Sequence, residues 1–251
     1  SLGMRMLFLP LLSGAKCVIM RKFTSNLYFD YVQRHNVTFS ALVPSQIDEL
    51  VLQNKKFKSF YLKKGLVSAS SKLFESTKKK IINKKISLFE MYGMAEMGTI
   101  TNINLTKNKV KSKSVGKTYD KKISIKILSH NKKYLSKNKV GEIICKSPGR
   151  FEGYFGLKDL TKNAFFKGYF KTGDIGYLDK NNNLFYLGRK KNVIKRSGVN
   201  IYPEDIEGIL LKNSNIKEVA VIPFIKNSST KIILFVKKDK TLTYNLIRNI
   251  C

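Results

Sequence analysis

The segment from residue 171 to residue 207 contains the residue types of a nucleotide-binding site. Asp174 follows a Thr-Gly pair, which predicts a tight turn that displays a carboxylate able to accept two hydrogen bonds from a diol. Arg189 directly follows a glycine at the end of an apolar run. A guanidinium group with several N–H donors in one plane therefore lies beside a conformationally flexible residue. Gly198 and Pro203 bracket a turn that leads into a helix with two glutamates. These features together predict a nucleotide site at a moving domain boundary.

The first part of the chain must supply a scaffold for such a site, and its pattern is that of an α/β fold. Short apolar runs alternate with amphipathic stretches, which indicates a parallel sheet with helices on its faces. Predicted strands cover residues 16–20, 37–42, 65–69 and 86–90, and predicted helices cover residues 26–34, 46–52 and 71–82. The polar, lysine-rich residues 105–117 are predicted to form a loop.

From about residue 113 the pattern changes to short strands separated by Gly, Asn and Lys. This spacing predicts a small β-rich, barrel-like subdomain. Its strands are residues 123–128, 141–146, 174–178 and 184–187. A compact α/β unit follows, with a helix at residues 203–211, strands at 218–223 and 231–237, and a further helix near 243–250. The predicted domains are therefore residues 1–112, 113–188 and 189–251.

The net charge of +31 makes a nucleic-acid or membrane-surface protein the main rival class. Only seven of the 48 basic residues are arginines, and the lysines are spread along the whole chain. Proteins that read bases and phosphates favour the bidentate fork of arginine. The charge therefore predicts a solvated surface with weak binding to polyanions at low salt, and no specific nucleic-acid partner.

The cysteine positions and the hydropathy of the chain indicate its cellular compartment. Cys17, Cys145 and Cys251 are widely separated, which predicts neither a disulfide framework nor a zinc site, and indicates the reduced thiols of a cytoplasmic protein. No window reaches the roughly 18 consecutive apolar residues that a membrane span requires. The apolar first twenty residues are predicted to be a buried core segment.

Three motifs in the second half of the chain resemble a known family. TGDIG, GRKKNVIK and NIYPEDIE resemble, in order and spacing, the later signatures of the adenylate-forming superfamily, which includes acyl-CoA synthetases, luciferase and peptide-synthetase relatives. SLGMRMLFLPLLSGAKCVIM, RHNVTFSALVPS, MYGMAEMG and GEIICKSPGRFEGYF resemble earlier segments of the same family. The sequence contains neither the family's glycine-rich, Ser/Thr-rich phosphate loop nor its C-terminal Gly-Lys segment. The chain is therefore expected to be the second half of such an enzyme, ending before its last motif.

The resemblance implies nucleotide-binding roles in the first part of the chain. Glu96 corresponds to the family's magnesium-associated glutamate, and Tyr92 to the aromatic residue that lies against adenine. Gly93 belongs to the same motif, and Ser70 to a segment that passes close to adenine. Two departures weaken these contacts: Ala95 stands where the family usually has threonine, and the segment around Ser70 lacks the usual glycine and proline. Taken alone, Glu96 also fits a surface residue after a turn.

The later motifs imply a ribose contact, a hinge and a thiol channel. Asp174 corresponds to the residue that holds both ribose hydroxyls, with Arg189 assisting. Lys191 occupies the hinge about which the family's C-terminal domain swings. Lys195 and Gly198 lie on the segment that meets the active site in the second half-reaction, where Gly198 leaves room for the pantetheine arm. Surface charge for Lys191 and a simple turn for Gly198 are the structural alternatives.

The function implied by the resemblance is an AMP-forming ligase. Such an enzyme uses ATP and Mg²⁺ to convert a small carboxylic acid into an acyl-adenylate, which is transferred to a thiol, usually that of coenzyme A. Two alternatives stay open. One is an adenylation enzyme that loads an amino or hydroxy acid onto a carrier-protein thiol; the other is a non-catalytic basic remnant that binds polyanions. Without the phosphate loop and the catalytic lysine, the chain as given is expected to catalyse little.

Overall fold

A computed structural model of the protein describes residues 2–53, 62–71, 73–107, 114–196, 199–213, 215–226 and 229–238. The chain divides into two compact units by packing. The first consists of Ser1–Ile125, Cys145–Phe170 and Asn181–Leu184, and the second of Lys126–Ile144, Lys171–Lys180 and Phe185–Cys251. The domain boundaries predicted after residues 112 and 188 remain predictions. The two compact units are defined by internal contacts, whereas the predicted domains are defined by their relative movement.

The α/β class predicted from the sequence is confirmed by a five-stranded mixed sheet. In spatial order its strands are β1 (Phe39–Leu42), β2 (Gly65–Ser68), β3 (Leu88–Met94), β4 (Gly98–Asn104) and β5 (Lys117–Thr118). The strands β1, β2 and β3 are parallel, whereas β4 and β5 join as antiparallel neighbours. The carboxyl ends of the three parallel strands therefore share one edge, which is where parallel sheets usually bind ligands.

Four helices accompany this sheet. They are α1 (Leu2–Leu12), α2 (Ser25–Arg34), α3 (Pro44–Leu52) and α4 (Glu75–Asn83). Local sequence explains where two of them begin: the Thr24 hydroxyl accepts a hydrogen bond from the Leu27 N–H at 3.3 Å, and Pro44 occupies the first turn of α3. The core of this layer is formed by fully buried aliphatic residues, among them Ile47, Leu50, Leu66, Leu73, Ile81 and Leu88.

The predicted β-rich part is confirmed by a second sheet. Its elements are β6 (Ser124–Leu128), β7 (Gly141–Lys146), the short helix α5 (Lys158–Asn163), β8 (Phe165–Phe166), β9 (Tyr169–Leu178) and β10 (Leu184–Arg189). The strand order is β10-β9-β7-β6, and β8 pairs with β9. Strand β7 has the predicted bounds, beginning at Gly141 and ending at Lys146.

The last part of the described chain is a small α/β arrangement. It contains a 3₁₀ turn (Lys190–Asn192), β11 (Ile194–Arg196), β12 (Val199–Ile201), α6 (Pro203–Leu210), β13 (Ile216–Lys226) and β14 (Ser229–Lys238). Strands β13 and β14 form an antiparallel pair, and α6 packs on it through Leu210 and Ile216. Pro203 in the first turn, followed by two acidic residues, explains why α6 begins there.

Two expectations for the first twenty residues are wrong. Residues 16–20 form no strand, and Ile19 is 68% exposed. The preceding segment forms α1, but it is not buried core, since Leu12 is 83% exposed. Apolar composition predicts burial only where another element packs against the segment, and a strand needs a neighbour that completes its backbone hydrogen bonds.

Two other predictions concern less regular parts of the chain. Of the predicted loop at 105–117, residues 105–107 and 114–116 have no helix or strand, Lys117 begins β5, and residues 108–113 lie outside the described residues. The helix predicted near 243–250 also lies outside them. None of the helices in the described part of the chain is long and apolar enough to cross a membrane.

Candidate functional site

Glu96 lies at the tip of a β-hairpin. Strands β3 and β4 are joined by the three-residue turn 95–97, and Glu96 is its middle residue. Tyr92 and Gly93 lie at the end of β3, where the pairing shifts register. A side chain at Gly93 would overlap the carbonyl oxygen of Gly98 and lie 2.8 Å from the Thr99 Cα, so only glycine allows the two strands to approach this closely. The hairpin therefore holds three predicted site residues within five positions.

The strand that leads to this hairpin is fixed by a buried ion pair. Lys78 Nζ on α4 lies 2.7 Å from Glu90 Oε2 on β3, and the two side chains are 5% and 7% exposed. Burial raises the pKa of the Glu90 carboxyl above its usual range, and the ammonium of Lys78 opposes this shift. Tyr92 follows two residues later and packs against a core cluster that includes Met97 and Phe170. The Tyr92 ring thus has a packing role whatever else it contacts.

Ser70 lies two residues after the end of β2 and has a strained backbone. Its φ is +83°, in the left-handed region that non-glycine residues avoid. The residue is exposed, and it follows the buried Ser68 at the carboxyl end of its strand. Strained residues at such positions are concentrated at ligand-binding sites.

In the second unit, Asp174 and Arg189 form an ion pair between neighbouring strands. Arg189 Nε lies 3.1 Å from Asp174 Oδ1, and Arg189 Nη1 donates to the carbonyl oxygen of Thr172 at 3.0 Å. The Thr172 hydroxyl accepts from the Asp174 N–H at 3.0 Å and donates to the Ile143 carbonyl oxygen at 2.7 Å. Three strands, β7, β9 and β10, thereby position one carboxylate.

The prediction that Asp174 stands on an exposed turn is wrong. The residue lies inside β9, and its side chain is 4% exposed. The Thr-Gly pair before it does not reverse the chain, because Gly173 takes a φ of +69° while the strand continues on both sides. The carboxylate is therefore held among neighbouring groups and covered by the side chain of Arg189.

The charges of Asp174 and Glu204 both act on Tyr186. Burial, followed by the charges of Asp174 and Glu204, raises the pKa of Tyr186 above the 10.0 of a free phenol, whereas Arg189 opposes the shift. Tyr186 is therefore a neutral phenol at physiological pH. The sequence assigned no role to Tyr186, because only the tertiary structure brings it close to Asp174 and Glu204.

The predicted hinge lies in the 3₁₀ turn after β10. Lys191 is exposed there, and its neighbour Lys190 forms a 2.7 Å ion pair with Glu142 on β7. Lys195 is exposed on β11, where it pairs with Asn200 of β12. Gly198, predicted to line the thiol channel, lies outside the described residues.

The comparison with known families is decisive for classification. The family model described as AMP-binding enzyme matches residues 1–155, which is more than half of the 251 residues. The chain belongs to the AMP-binding enzyme family.

Two named relatives and one solved structure are similar to this AMP-binding enzyme. 4-Coumarate-CoA ligase 1 of Narcissus pseudonarcissus is 30% identical over 229 residues, which cover 86% of this chain and 41% of the relative. Indoleacetate–CoA ligase of Aromatoleum aromaticum is 28% identical over 217 residues, covering 85% and 42%. The structure of O-succinylbenzoate coenzyme A synthetase from Bacillus subtilis in complex with AMP matches with a TM-score of 0.89 at 24% identity.

The matches cover only part of each related protein. The solved structure is covered to 51% and this chain to 99%, and at 24% identity the likeness shows the shared fold. The chain of this AMP-binding enzyme spans about two fifths of the length of the curated relatives it matches.

The residues present fit the magnesium ion that the family implies. Glu96 is partly exposed, and its Oε1 accepts a hydrogen bond from the Tyr154 hydroxyl at 3.0 Å. No group of three or more His, Cys, Asp or Glu side chains that could hold a metal occurs among the described residues. A single carboxylate suits Mg²⁺, which keeps several waters and shares its coordination with substrate phosphates.

Sequence reasoning missed two residues that hold the site together. Thr172 belongs to the quoted TGDIG motif, and Tyr154 to the quoted GEIICKSPGRFEGYF segment, yet neither was assigned a role. Their hydroxyl groups contact Asp174 and Glu96, respectively. Both residues lie inside motifs that carry the family resemblance, and this position could have marked them as candidates.

Proposed function

We propose that this chain is part of an AMP-forming ligase that activates a carboxylic acid with ATP and transfers the acyl group to the thiol of coenzyme A. The observation that carries the proposal is membership of the AMP-binding enzyme family, with relatives named as ligases that join coumarate and indoleacetate to coenzyme A. The substrates of the proposed enzyme are therefore ATP, a small carboxylic acid and coenzyme A, with Mg²⁺ as the cofactor.

The proposed reaction has two steps, adenylation and thioester formation. A carboxylate oxygen of the acid attacks the α-phosphorus of ATP, the bond to the bridging oxygen breaks, and pyrophosphate leaves. The sulfur of the thiol then attacks the acyl carbon of the mixed anhydride, loses its proton, and AMP leaves with the electron pair of the broken C–O bond. Bound Mg²⁺ supplies positive charge that offsets the phosphate charge.

In the first unit, Glu96 is the proposed magnesium ligand and Tyr92 the proposed support for adenine. The hairpin turn presents Glu96 beyond the end of β3, and Ser70 follows β2 at the same edge of the parallel strands. Gly93 contributes the close strand pairing that shapes the turn.

In the second unit, Asp174 is the proposed acceptor for the two ribose hydroxyls. Arg189 assists by holding the carboxylate through Nε, and Thr172 holds the backbone on either side of Gly173. Because Asp174 is 4% exposed, ribose binding requires the half-exposed guanidinium of Arg189 to move aside or to share the carboxylate. A carboxylate that two neighbouring groups already orient needs little further ordering when the sugar arrives.

The proposed domain arrangement assigns residues 1–112 and 113–188 to the large AMP-binding domain and residues 189–251 to a mobile C-terminal domain. Lys191 is the proposed hinge. Its exposure in a short 3₁₀ turn supports this assignment, because such a turn can change its backbone angles without disturbing buried packing. Lys195 and Gly198 are assigned to the thioester-forming half-reaction.

These 251 residues alone are expected to ligate slowly, because the family's phosphate loop and catalytic lysine are not among them. The test should therefore use the protein encoded by the complete gene. Exchange of radiolabelled pyrophosphate into ATP is measured with a panel of acids that begins with coumarate, indoleacetate and succinylbenzoate. Acid-dependent exchange is the expected result.

The thiol acceptor is tested in a second step by mass spectrometry. With coenzyme A the acyl thioester should form, whereas acylation of a carrier-protein phosphopantetheine thiol and not of coenzyme A would support the carrier-loading alternative. Absence of exchange with every acid, together with nucleotide binding that vanishes at moderate salt, would contradict the ligase proposal and support the basic polyanion-binding alternative.

A further inference from the structure

Glu96 is held from outside its own hairpin at two points. The Phe151 N–H donates to the Glu96 carbonyl oxygen at 2.7 Å, and the Tyr154 hydroxyl donates to Glu96 Oε1 at 3.0 Å. Both donors lie in the segment between β7 and α5, within the same compact unit as Glu96. One loop therefore orients both the backbone and the carboxylate of this residue.

Tyr154 is itself fixed by its surroundings. Its N–H donates to the Thr161 hydroxyl at 2.9 Å, and that hydroxyl donates to the Leu157 carbonyl oxygen at 2.9 Å. The Tyr154 ring packs edge-to-face on Phe151 with 4.9 Å between centroids. Phe151 in turn packs against the core cluster that contains Met97, the residue after Glu96. The hydroxyl of Tyr154 is thus directed at Glu96 by a folded loop.

The chemistry of this contact leaves one carboxylate oxygen for another ligand. The Tyr154 hydroxyl is the donor of this hydrogen bond, and Glu96 Oε1 is the acceptor. Glu96 Oε1 is occupied by this bond, and no ion pair of Glu96 with a cationic side chain is found in the described ranges. The contact with Tyr154 therefore uses Oε1 and leaves Oε2 for another ligand.

We propose that Tyr154 is a positioning residue that holds Glu96 Oε1 and thereby orients the carboxylate that would bind magnesium. The inference rests on the proposed role of Glu96 as the magnesium ligand. Partners of this kind orient a metal-binding carboxylate, and their loss typically weakens metal affinity about 10- to 100-fold. A carboxylate that is already oriented is suited to an ion that demands near-ideal octahedral geometry.

The experiment compares four forms of the protein encoded by the complete gene: wild type, Tyr154→Phe, Glu96→Gln and the double variant. Binding of Mg²⁺ is measured by calorimetry in the presence of a non-hydrolysable ATP analogue and without acid, so the readout is independent of turnover. Tyr119→Phe is the matched control, because Tyr119 is 55% exposed and belongs to the same unit. Binding of the analogue without metal is measured for every variant.

The expected result is a loss of Mg²⁺ affinity of about tenfold in Tyr154→Phe, with unchanged metal-free analogue binding and no effect in Tyr119→Phe. In the Glu96→Gln background, the Tyr154→Phe change should cause no further loss, since the two residues act through one contact. A merely structural tyrosine would alter analogue binding with and without metal to the same extent.

Two outcomes overturn the inference and differ in what they mean for the site. If Glu96→Gln loses Mg²⁺ affinity while Tyr154→Phe behaves like Tyr119→Phe, Tyr154 has no positioning role and the proposed site stands. If Glu96→Gln binds Mg²⁺ normally, both the inference and the assigned role of Glu96 fail. If Tyr154→Phe does not fold, Thr161→Val is used instead, because it removes the hydroxyl that anchors Tyr154. A loss of Mg²⁺ affinity smaller than about tenfold in Thr161→Val would support the inference, and unchanged affinity would contradict it.

Discussion

Arg189 Nε lies 3.1 Å from Asp174 Oδ1, and the two partners differ sharply in exposure. The carboxylate is 4% exposed, whereas the guanidinium side chain is 49% exposed. The pair joins the adjacent strands β9 and β10, and the second hydrogen bond from Arg189 to the Thr172 carbonyl oxygen fixes the guanidinium plane. Arg189 therefore both neutralises a buried charge and covers it.

This asymmetry predicts unequal costs for removing the two partners. Arg189→Ala should lower the free energy of unfolding by about 1–3 kcal/mol, because it leaves a buried carboxylate without its cation. Asp174→Ala should cost less, because water can solvate the half-exposed guanidinium that remains. Denaturant titration of both variants checks the order, and equal losses would contradict it.

Asp174→Ala should nevertheless abolish most use of ATP by the complete protein, since the proposed ribose acceptor is lost. Pyrophosphate exchange is the measurement, with circular dichroism to establish that the fold is intact. Asp30→Ala is the matched control, because Asp30 forms an exposed ion pair with Arg34 on α2. Exchange at the wild-type rate in Asp174→Ala would remove the ribose assignment.

Ala95→Thr should preserve or raise the rate of adenylation. Ala95 is exposed in the turn beside Glu96, so the added hydroxyl and methyl groups need no space in the core. A hydroxyl at this position could supply a phosphate hydrogen bond worth about 1–3 kcal/mol. The rate of pyrophosphate exchange at subsaturating ATP tests this, and a large decrease would mean that the turn binds phosphate differently.

Gly93→Ala should strongly destabilise the β3–β4 hairpin. The new methyl group would overlap the backbone of Gly98 and Thr99, which no side-chain rotation can relieve. We expect a loss of more than about 2 kcal/mol and reduced Mg²⁺–nucleotide binding. Gly149→Ala is the control, since the nearest atom to its added carbon is 3.6 Å away. Similar melting temperatures for the two variants would refute the packing argument.

The raised pKa of Tyr186 predicts a specific alkaline sensitivity. The folded state holds the phenolic proton more tightly than the unfolded state, so the associated stability is complete below the unfolded value of 10.0 and is lost as the pH rises through the folded value. Tyr186→Phe should therefore lose less stability than wild type between about pH 9 and about pH 11. Denaturation midpoints at both pH values, with Tyr119→Phe for comparison, provide the measurement.

Regular elements were predictable where local sequence contains both a pattern and its boundaries. The predicted strand at 141–146 matches β7, and the predicted helix at 203–211 matches α6 to within one residue, because glycine, proline and acidic residues mark their ends. Strand β4, by contrast, was missed. Its sequence GTITNIN is polar in part, and its place is set by antiparallel pairing with β3 rather than by an apolar alternation.

The predictions for residues 16–20 and Asp174 failed for related reasons. The apolar segment was assigned to a strand and to the core, yet it is irregular and Ile19 is 68% exposed. The Thr-Gly pair before Asp174 was assigned to a tight turn and the strand was predicted to begin at Asp174, yet β9 already begins at Tyr169. In both places the local sequence is compatible with two conformations, and the neighbouring strands decide which one completes the backbone hydrogen bonds.

The family resemblance, the α/β class and the choice of Glu96, Asp174 and Arg189 as candidate site residues came from the sequence, because they depend on residue types and their order along the chain. Tertiary structure alone decided that Asp174 is buried under Arg189 and that Tyr154 donates to Glu96 across 58 positions. Burial and hydrogen bonding between distant residues depend on how strands and loops pack. Linear spacing specifies no such distances, and these contacts are therefore visible only in the folded chain.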